Sequence, residues 1–432
     1  MKKLIGTVAV AALLASAAFA EISFGSWLRA IAVPVAGDGE DIKSGMVNSW
    51  GWGARVARVD IRGTSEDEKA GFSMQIFNDH VGGLSDGDEA VLWVRPWDFL
   101  KVSLGHYDYT TFRGDLTFGS WGWVRPQNWL FDDEGLTFDK LGAKNGIHLE
   151  LTPVEGLMIM WNLPITGWND AYKMFEGQDI AAKYTIGDIG TIKLGWGGKG
   201  GRAYKTPAVA AGWWDGSDED NGVFDSYEDA IIGEIEEPKY RKAVAGSDEE
   251  KYLGDINIGF DLTGIDNLFL TVGAKISIAS EDYKLLQGGS FGLFKLALGA
   301  SYQITDNFKV SASYGMQTYA KVDSDNKKLA NHQFGIGIDV GLTDSLSLSA
   351  DFRGLIDGGK KVLGEKVDGA DPVFSFLVGL QYTCSSNGYI GIGFQGVTKS
   401  NGFLKNGGQS AFPGAKADAF SWAVPIAVSV WF

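Results

Sequence analysis

The sequence predicts an all-β fold: a closed, antiparallel transmembrane β-barrel of about eighteen strands, with sixteen to twenty allowed if one hairpin is missed or added. Three observations carry this. Apolar and polar residues alternate over segments of roughly 9 to 11 residues, the length a tilted strand needs to cross a bilayer. Short connections between these segments alternate with long ones. Composition is rich in glycine (60 residues) and in aromatics (15 Trp, 14 Tyr and 25 Phe), a mixture that suits curved, closed sheets with aromatic girdles. Beyond the N-terminus no apolar run approaches the ~18 residues of a spanning helix. Closed barrels are the other architecture that satisfies every backbone group in lipid.

The chain begins "MKKLIGTVAVAALLASAAFA": Lys2 and Lys3, an apolar run from Leu4, then the small-x-small site Ala18-Phe19-Ala20. This reads as a signal peptide over residues 1–20, cleaved to leave 21–432 as a single barrel domain. Strands are expected to start near Ile22, Trp52, Ala70, Ala90, Phe99, Gly146, Leu157, Asp179, Thr191, Leu253, Asn267, Phe291, Asn307, His332, Ser345, Pro372, Gly388 and Phe420. Even-numbered strands are followed by short turns such as "GTSEDEK", "PWD", "PVEG", "GDIG", "GIDN", "TDN", "TDS" and "SSNG". Odd-numbered ones are followed by residues 35–49, 80–87, 109–144, 164–178, 198–251, 279–290, 319–330, 355–371 and 398–418. Short turns on one side and long loops on the other are the habit of outer-membrane barrels, and an even strand count puts both termini on the periplasmic side.

The alternation is explicit in "FKLALGASYQI", where Phe294, Leu296, Leu298, Ala300, Tyr302 and Ile304 oppose Lys295, Ala297, Gly299, Ser301 and Gln303. "ARVARVDIR" sets Ala57, Val59 and Ile61 against Arg58, Asp60 and Arg62, a face costly in lipid and natural in water. The last strand is apolar on one row, Phe420, Trp422, Val424, Ile426, Val428, Val430 and Phe432. Its other row is Ser421, Ala423, Pro425, Ala427, Ser429 and Trp431. Pro425 lacks the N–H that a ladder uses, so a bulge is expected there.

A signal peptide followed by a final amphipathic strand ending in Phe resembles the C-terminal targeting signal of bacterial outer-membrane β-barrel proteins. That resemblance implies recognition of Trp422, Val428, Val430 and Phe432 by the outer-membrane barrel assembly machinery. Among such barrels the chain resembles porins, including spirochaete-type ones in the hairpin "WVRPWDFLKVSLG" (Trp93 to Gly105). Porin resemblance implies localisation in the bacterial outer membrane, contact with its lipids, passive diffusion of small hydrophilic solutes and ions, and a homotrimer. The alternative is a surface-exposed adhesin or structural barrel that binds ligands through its external loops.

Candidate pore-lining residues follow from alternation and from the porin resemblance. Arg58, Asp60, Arg62 and Lys101 lie on inner rows, with Lys193, Lys295, Lys309 and Arg353 in the same class. Opposed charges across a bore tune ion selectivity; a solvated interior without selectivity is the plainer reading. In many porins the third external loop folds into the bore, which makes 109–144 the constriction candidate with Arg113, Trp121, Trp123, Arg125, Trp129, Asp132 and Asp133. Those tryptophans equally suit loop packing or an interfacial girdle.

Other chemistries find little support. Net charge is −16 and there is one cysteine, Cys384, which argues against a nucleic-acid partner, an internal disulfide and Cys-based metal sites. Ser217-x-Glu219-x-Asn221-Gly222 with Glu228 has the outline of a calcium loop but Ser at its first position and no flanking helices, so a solvated acidic loop is expected within 198–251. "GWGGKGGR" (Gly195 to Arg202) lacks the Lys-Ser/Thr of a phosphate cradle and reads as a flexible loop. Four histidines, His80, His106, His148 and His332, supply no positioned nucleophile or oxyanion arrangement. No enzyme activity, cofactor or metal is expected.

Overall fold

The computed structural model describes residues 21–37, 41–47, 55–78, 85–107, 144–165, 173–206, 211–214, 224, 226–232, 238–242, 247–287, 289–321, 326–369, 371–398 and 420–432. The signal-peptide residues 1–20, His80, the greater part of 109–144 and most of the calcium-like segment lie outside this set.

Among the described residues, eighteen antiparallel strands form the wall of a closed barrel. They are β1 (Glu21–Gly37), β2 (Arg55–Thr64), β3 (Ala70–Asn78), β4 (Ser85–Trp97), β5 (Leu100–Tyr107) and β6 (Lys144–Val154). Next come β7 (Leu157–Pro164), β8 (Asp179–Ile186), β9 (Gly190–Thr206), β10 (Ser247–Ile265), β11 (Leu268–Ala279) and β12 (Gly292–Thr305). The last six are β13 (Phe308–Tyr319), β14 (Asn331–Gly341), β15 (Leu346–Ile356), β16 (Val373–Ser385), β17 (Gly388–Val397) and β18 (Ser421–Trp431). Each strand pairs with its sequence neighbour, and β18 pairs with β1 from Trp27↔Trp431 to Gly37↔Trp422 to close the ring. Every strand anticipated from alternation is present.

Side-chain alternation sorts the sheet into two faces. Outward rows carry exposed apolar residues, among them Phe24, Leu92, Leu104, Leu194, Ile258, Ile336 and Ile392. Inward rows carry Ser103, Asn162, Lys193, Asn257, Ser349, Arg353 and Gln395, all buried. An apolar exterior around a polar interior inverts a soluble protein and matches a bilayer-spanning barrel. Rings gather near the turn ends, where Trp97 stacks on Phe99 with centroids 5.9 Å apart and Tyr389 lies 6.2 Å from Trp431; aromatic side chains favour the headgroup level.

The bulge expected at Pro425 sits in the seam. β1 shifts register between Ala32 and Val35, directly across from Pro425, whose neighbours Ile426 and Val424 pair with Ala32 and Val35. Pro34 lies within the same shift, so neither strand has to offer the ladder a donor that proline lacks.

Three predicted boundaries differ from the structure. Residues 35–49 are in part sheet: Ile42–Val47 pairs with β1 from Ile31↔Val47 to Gly37↔Ile42, on the edge that β2 uses from Glu21 to Ala30. β9 and β10 continue as far as Thr206↔Ser247, well into the predicted loop 198–251. "GWGGKGGR" therefore lies in a strand, with the register shift between Gly198 and Arg202 absorbed by Gly200 (φ 69°) and Gly201 (φ 50°). At 17 and 19 residues, these strands are about twice what a bilayer needs. Their outer halves have no lipid to face, and the apolar alternation stops.

Beyond the outer rim, Gly212–Trp214 pairs with Lys239–Arg241, and Lys327–Lys328, Lys360–Val362 and Glu365–Val367 form a second small sheet. Trp213, 3% exposed, and Ala230 are the buried centre of an apolar cluster that takes in Phe224, Tyr240 and Val362. Tyr227 and Tyr240 meet the Trp213 ring edge-on at 4.9 and 5.3 Å, a favoured aromatic geometry. Val362 thus ties the connection after β15 to the one after β9, across the outer mouth of the barrel.

Candidate functional site: the bore wall

The inner face is the large polar surface that the topology gathers into one place, and strand register fixes who meets whom. On β2, Arg58 and Asp60 are two residues apart on one row, with Nε to Oδ2 at 3.0 Å. Arg58 also lies over the Trp27 ring of β1 at 5.8 Å, a stacking that a guanidinium suits. Arg62 follows on the same row, exposed, nearer the turn. These three predicted residues are brought together. Lys101 sits apart on β5, opposite Glu150, with Nζ 5.2 Å from the centre of the Trp93 ring. Trp93 also receives Arg95 at 5.8 Å.

The densest charge lies on β8 to β12. Asp255 is held by four groups: Tyr252 OH donates to Oδ1 at 2.6 Å, Ser277 Oγ at 2.7 Å, Lys199 Nζ is 3.4 Å from Oδ2, and Asn257 Nδ2 donates to its carbonyl. Asp261 pairs with Lys193 and accepts from Thr271 Oγ1 at 2.7 Å. Buried carboxylates need such partners, since a lone buried charge is costly. The lysines are set differently. Lys183 stands directly opposite Lys193, and Lys275 directly opposite Lys295. Like charges across a strand pair oppose folding by a few tenths of a kcal/mol, which Lys193 offsets through its pair with Asp261.

Elsewhere on the wall, Lys309 Nζ is 3.1 Å from Asp339, which accepts from Ser349 Oγ at 2.6 Å. Arg353 Nη2 is 3.3 Å from Asp351 Oδ2. Long side chains such as Lys309 and Arg58 keep about a third of their surface open and shade the short residues at their feet. Elsewhere along the ring the wall is made of small residues: Ser421, Ala423, Ala427 and Ser429 of β18 are buried, with Gly391 of β17 across from Ala427.

Sequence reasoning marked Lys193, Lys295, Lys309 and Arg353 but missed Asp255, Asp261 and Asp339; pairing register shows that these serve Lys199, Lys193 and Lys309 in turn. The constriction candidates Arg113, Trp121, Trp123, Arg125, Trp129, Asp132 and Asp133 lie outside the described residues. On β18, Trp422, Val428, Val430 and Phe432 share the outward row, Trp422 stacked on Phe394 at 6.0 Å and Phe432 76% exposed. His148 pairs with Asn162, His106 with Asn145 at 2.8 Å and His332 with Tyr314 OH at 2.8 Å. Among the described residues no group of three or more His, Cys, Asp or Glu is placed to hold a metal.

No protein-family model and no curated relative matches the sequence. In backbone path the chain is similar to the anion-selective porin from Comamonas acidovorans, with 12% identity, 95% of this chain and 99% of that one covered, and a TM-score of 0.49. It is similar also to a doubly substituted mutant of Rh. blastica porin (12% identity, 95% and 100% covered, TM-score 0.46). A third likeness is to OmpT of Vibrio cholerae lacking loop L8 (11% identity, 95% and 99% covered, TM-score 0.40). On its own geometry the chain is a closed eighteen-stranded antiparallel β-barrel with a lipid-facing apolar surface and a charged, hydrogen-bonding interior.

Proposed function

We propose that this barrel is a porin of the bacterial outer membrane: a water-filled channel through which small hydrophilic solutes and ions diffuse passively. One observation carries the reading. The inward rows bear charged and hydrogen-bonding side chains on strands all around the ring, with lysines set against lysines at Lys183/Lys193 and Lys275/Lys295. A barrel filled for stability alone would pack apolar groups there; rows of charged and hydrogen-bonding side chains suit a wall that meets water and moving ions. Eighteen strands are wide enough to leave an aqueous bore, and closed barrels of this kind belong to the outer membrane.

With Lys183, Lys193, Lys199, Lys275 and Lys295 against Asp179, Asp255 and Asp261, the β8 to β12 wall carries excess positive charge. It favours anions, despite a chain that is acidic as a whole. The constriction role of 109–144 and the part of Trp422, Val428, Val430 and Phe432 in assembly belong to the same proposal.

Single-channel recording of the folded protein in a planar bilayer tests it. Discrete conductance steps are expected, with a reversal potential in a salt gradient that marks anion preference. Lys275→Glu/Lys295→Glu moves that potential toward cations by tens of millivolts. A correctly folded, inserted barrel that stays electrically silent overturns the proposal.

A further inference from the structure

Outside the membrane, the three-stranded sheet beyond the rim and the bridge beside it place four lysines in a single line. Lys321 is bridged to Lys327, Lys327 is paired with Lys361, and Lys361 with Lys366. Residues directly opposite in antiparallel pairing point to the same face, so the four ammonium groups form one row across the small sheet. Neighbouring strands lie ~4.8 Å apart, which makes the row roughly 14 Å long.

The sheet is held in shape from below and from its ends. Val362, on the alternate face, packs into the Trp213 cluster, so the lysine face is turned away from that contact. Buried Asn326 accepts from Leu363 N–H at 3.2 Å, and Leu329 N–H donates to Gly359 O at 2.8 Å. The turn at Leu363 (φ 52°) and Gly364 (φ 82°) has the paired positive φ of a two-residue hairpin. Among the described residues Lys321, Lys327 and Lys361 have no carboxylate at ion-pair distance. Lys366, 61% exposed, is 3.3 Å from the exposed Asp368. Stacking four like charges opposes folding of this sheet, and it occurs in a chain of net charge −16.

We propose that this row binds a linear, sulfated polysaccharide at the external face of the barrel. The strand-to-strand step is close to the length of one sugar residue, so successive anionic groups of an extended glycan meet successive lysines. Ammonium groups on flexible stems suit point-like sulfate charges. A single-stranded nucleic acid would call for free aromatic faces between the charges; the nearby Tyr319 ring is already covered by Lys328 Nζ at 4.3 Å. The site lies on the sheet beyond the rim and uses none of the lysines of the bore wall.

The test is calorimetric titration of heparin oligosaccharide into the folded, full-length barrel in detergent, with neutral dextran as the control. Heparin binds with an affinity that falls steeply with salt, as counterion release and screening require, and dextran does not bind. Lys327→Gln/Lys361→Gln weakens binding at least tenfold. Lys366→Gln, at the exposed end of the row and without consequence for folding, weakens it a few-fold. Single-channel conductance of both variants is that of the parent protein, so loss of glycan binding and loss of the channel are read separately. Unchanged affinity in the folded double variant overturns the proposal. So does inorganic phosphate that displaces heparin at equal charge concentration, or binding that disappears instead in Lys275→Gln/Lys295→Gln.

Discussion

Asp67 shows how one side chain shapes a periplasmic turn. Ser65 Oγ donates to its carboxylate at 2.6 Å and Lys69 N–H does so at 3.1 Å, and these bonds, the hydroxyl foremost, hold the carboxyl below its ordinary pKa. A carboxylate with a depressed folded value stabilises its turn above the ordinary carboxylate pKa, and loses that contribution as pH falls through the folded one. Followed by the Lys69 amide resonance, Asp67 is expected to titrate below an exposed peptide aspartate, and Asp67→Asn to abolish that titration. At this scale the sequence was readable where chemistry is local. "GTSEDEK" announced the turn, and Arg58, Asp60 and Arg62 announced an inner row. Asp255 and its four partners were not readable, because Tyr252, Lys199 and Ser277 reach it from three strands whose register no single segment encodes.

Among elements, the recurrent device is a glycine opposite an aromatic ring. Gly63 faces Phe72, Gly354 faces Phe334, Gly396 faces Phe376 and Gly37 faces Trp422, each directly across a strand pair on the outward side. A side-chain carbon at Gly396 would lie 2.5 Å from Phe376 Cζ and 2.9 Å from Phe420 Cζ. The ring covers the backbone that glycine leaves bare, while the glycine allows the local bend. Abundant glycine and abundant aromatics are therefore one design. Gly396→Val is expected to cost about 1–3 kcal/mol through displaced rings, measured as a lower urea midpoint of the folded barrel in lipid vesicles. Strand existence was legible because lipid on one side and water on the other impose alternation. Strand ends were not: "SDEEK" at Ser247 to Lys251 is wholly polar yet lies in β10, since both of its faces are outside the bilayer.

For the whole molecule, the decisive contact joins the two ends of the chain. Ser26 N–H donates to Phe432 O at 2.9 Å, Phe432 N–H donates to Ser26 O at 2.9 Å, and Asn387 Nδ2 donates to Trp431 O at 2.9 Å. Deleting Phe432 removes two backbone bonds worth about 2 kcal/mol together, and is expected to lower the urea midpoint of purified protein. Phe432→Ser keeps those bonds and loses only the ring. It is expected to fold normally in pure lipid and to insert poorly in cells, where membrane-fraction yield reports recognition by assembly machinery; equal yield would sink the targeting role.

The proline-centred bulge of the seam has a consequence in time. β1 and β18 are the first and last strands, so closure joins segments separated by nearly the whole chain and costs on the order of 5 kcal/mol in loop entropy. Until then both strands stand open in the bilayer with the row of donors and acceptors of an unpaired edge. At that stage a slip of one residue would turn the Phe420 to Phe432 row into the bore. Two residues of β1, Val33 and Pro34, occupy the gap opposite Pro425, and only the native alignment brings the two prolines together. The seam's register thus carries its own proofreading: a misaligned pair would set proline where the ladder needs a hydrogen-bond donor.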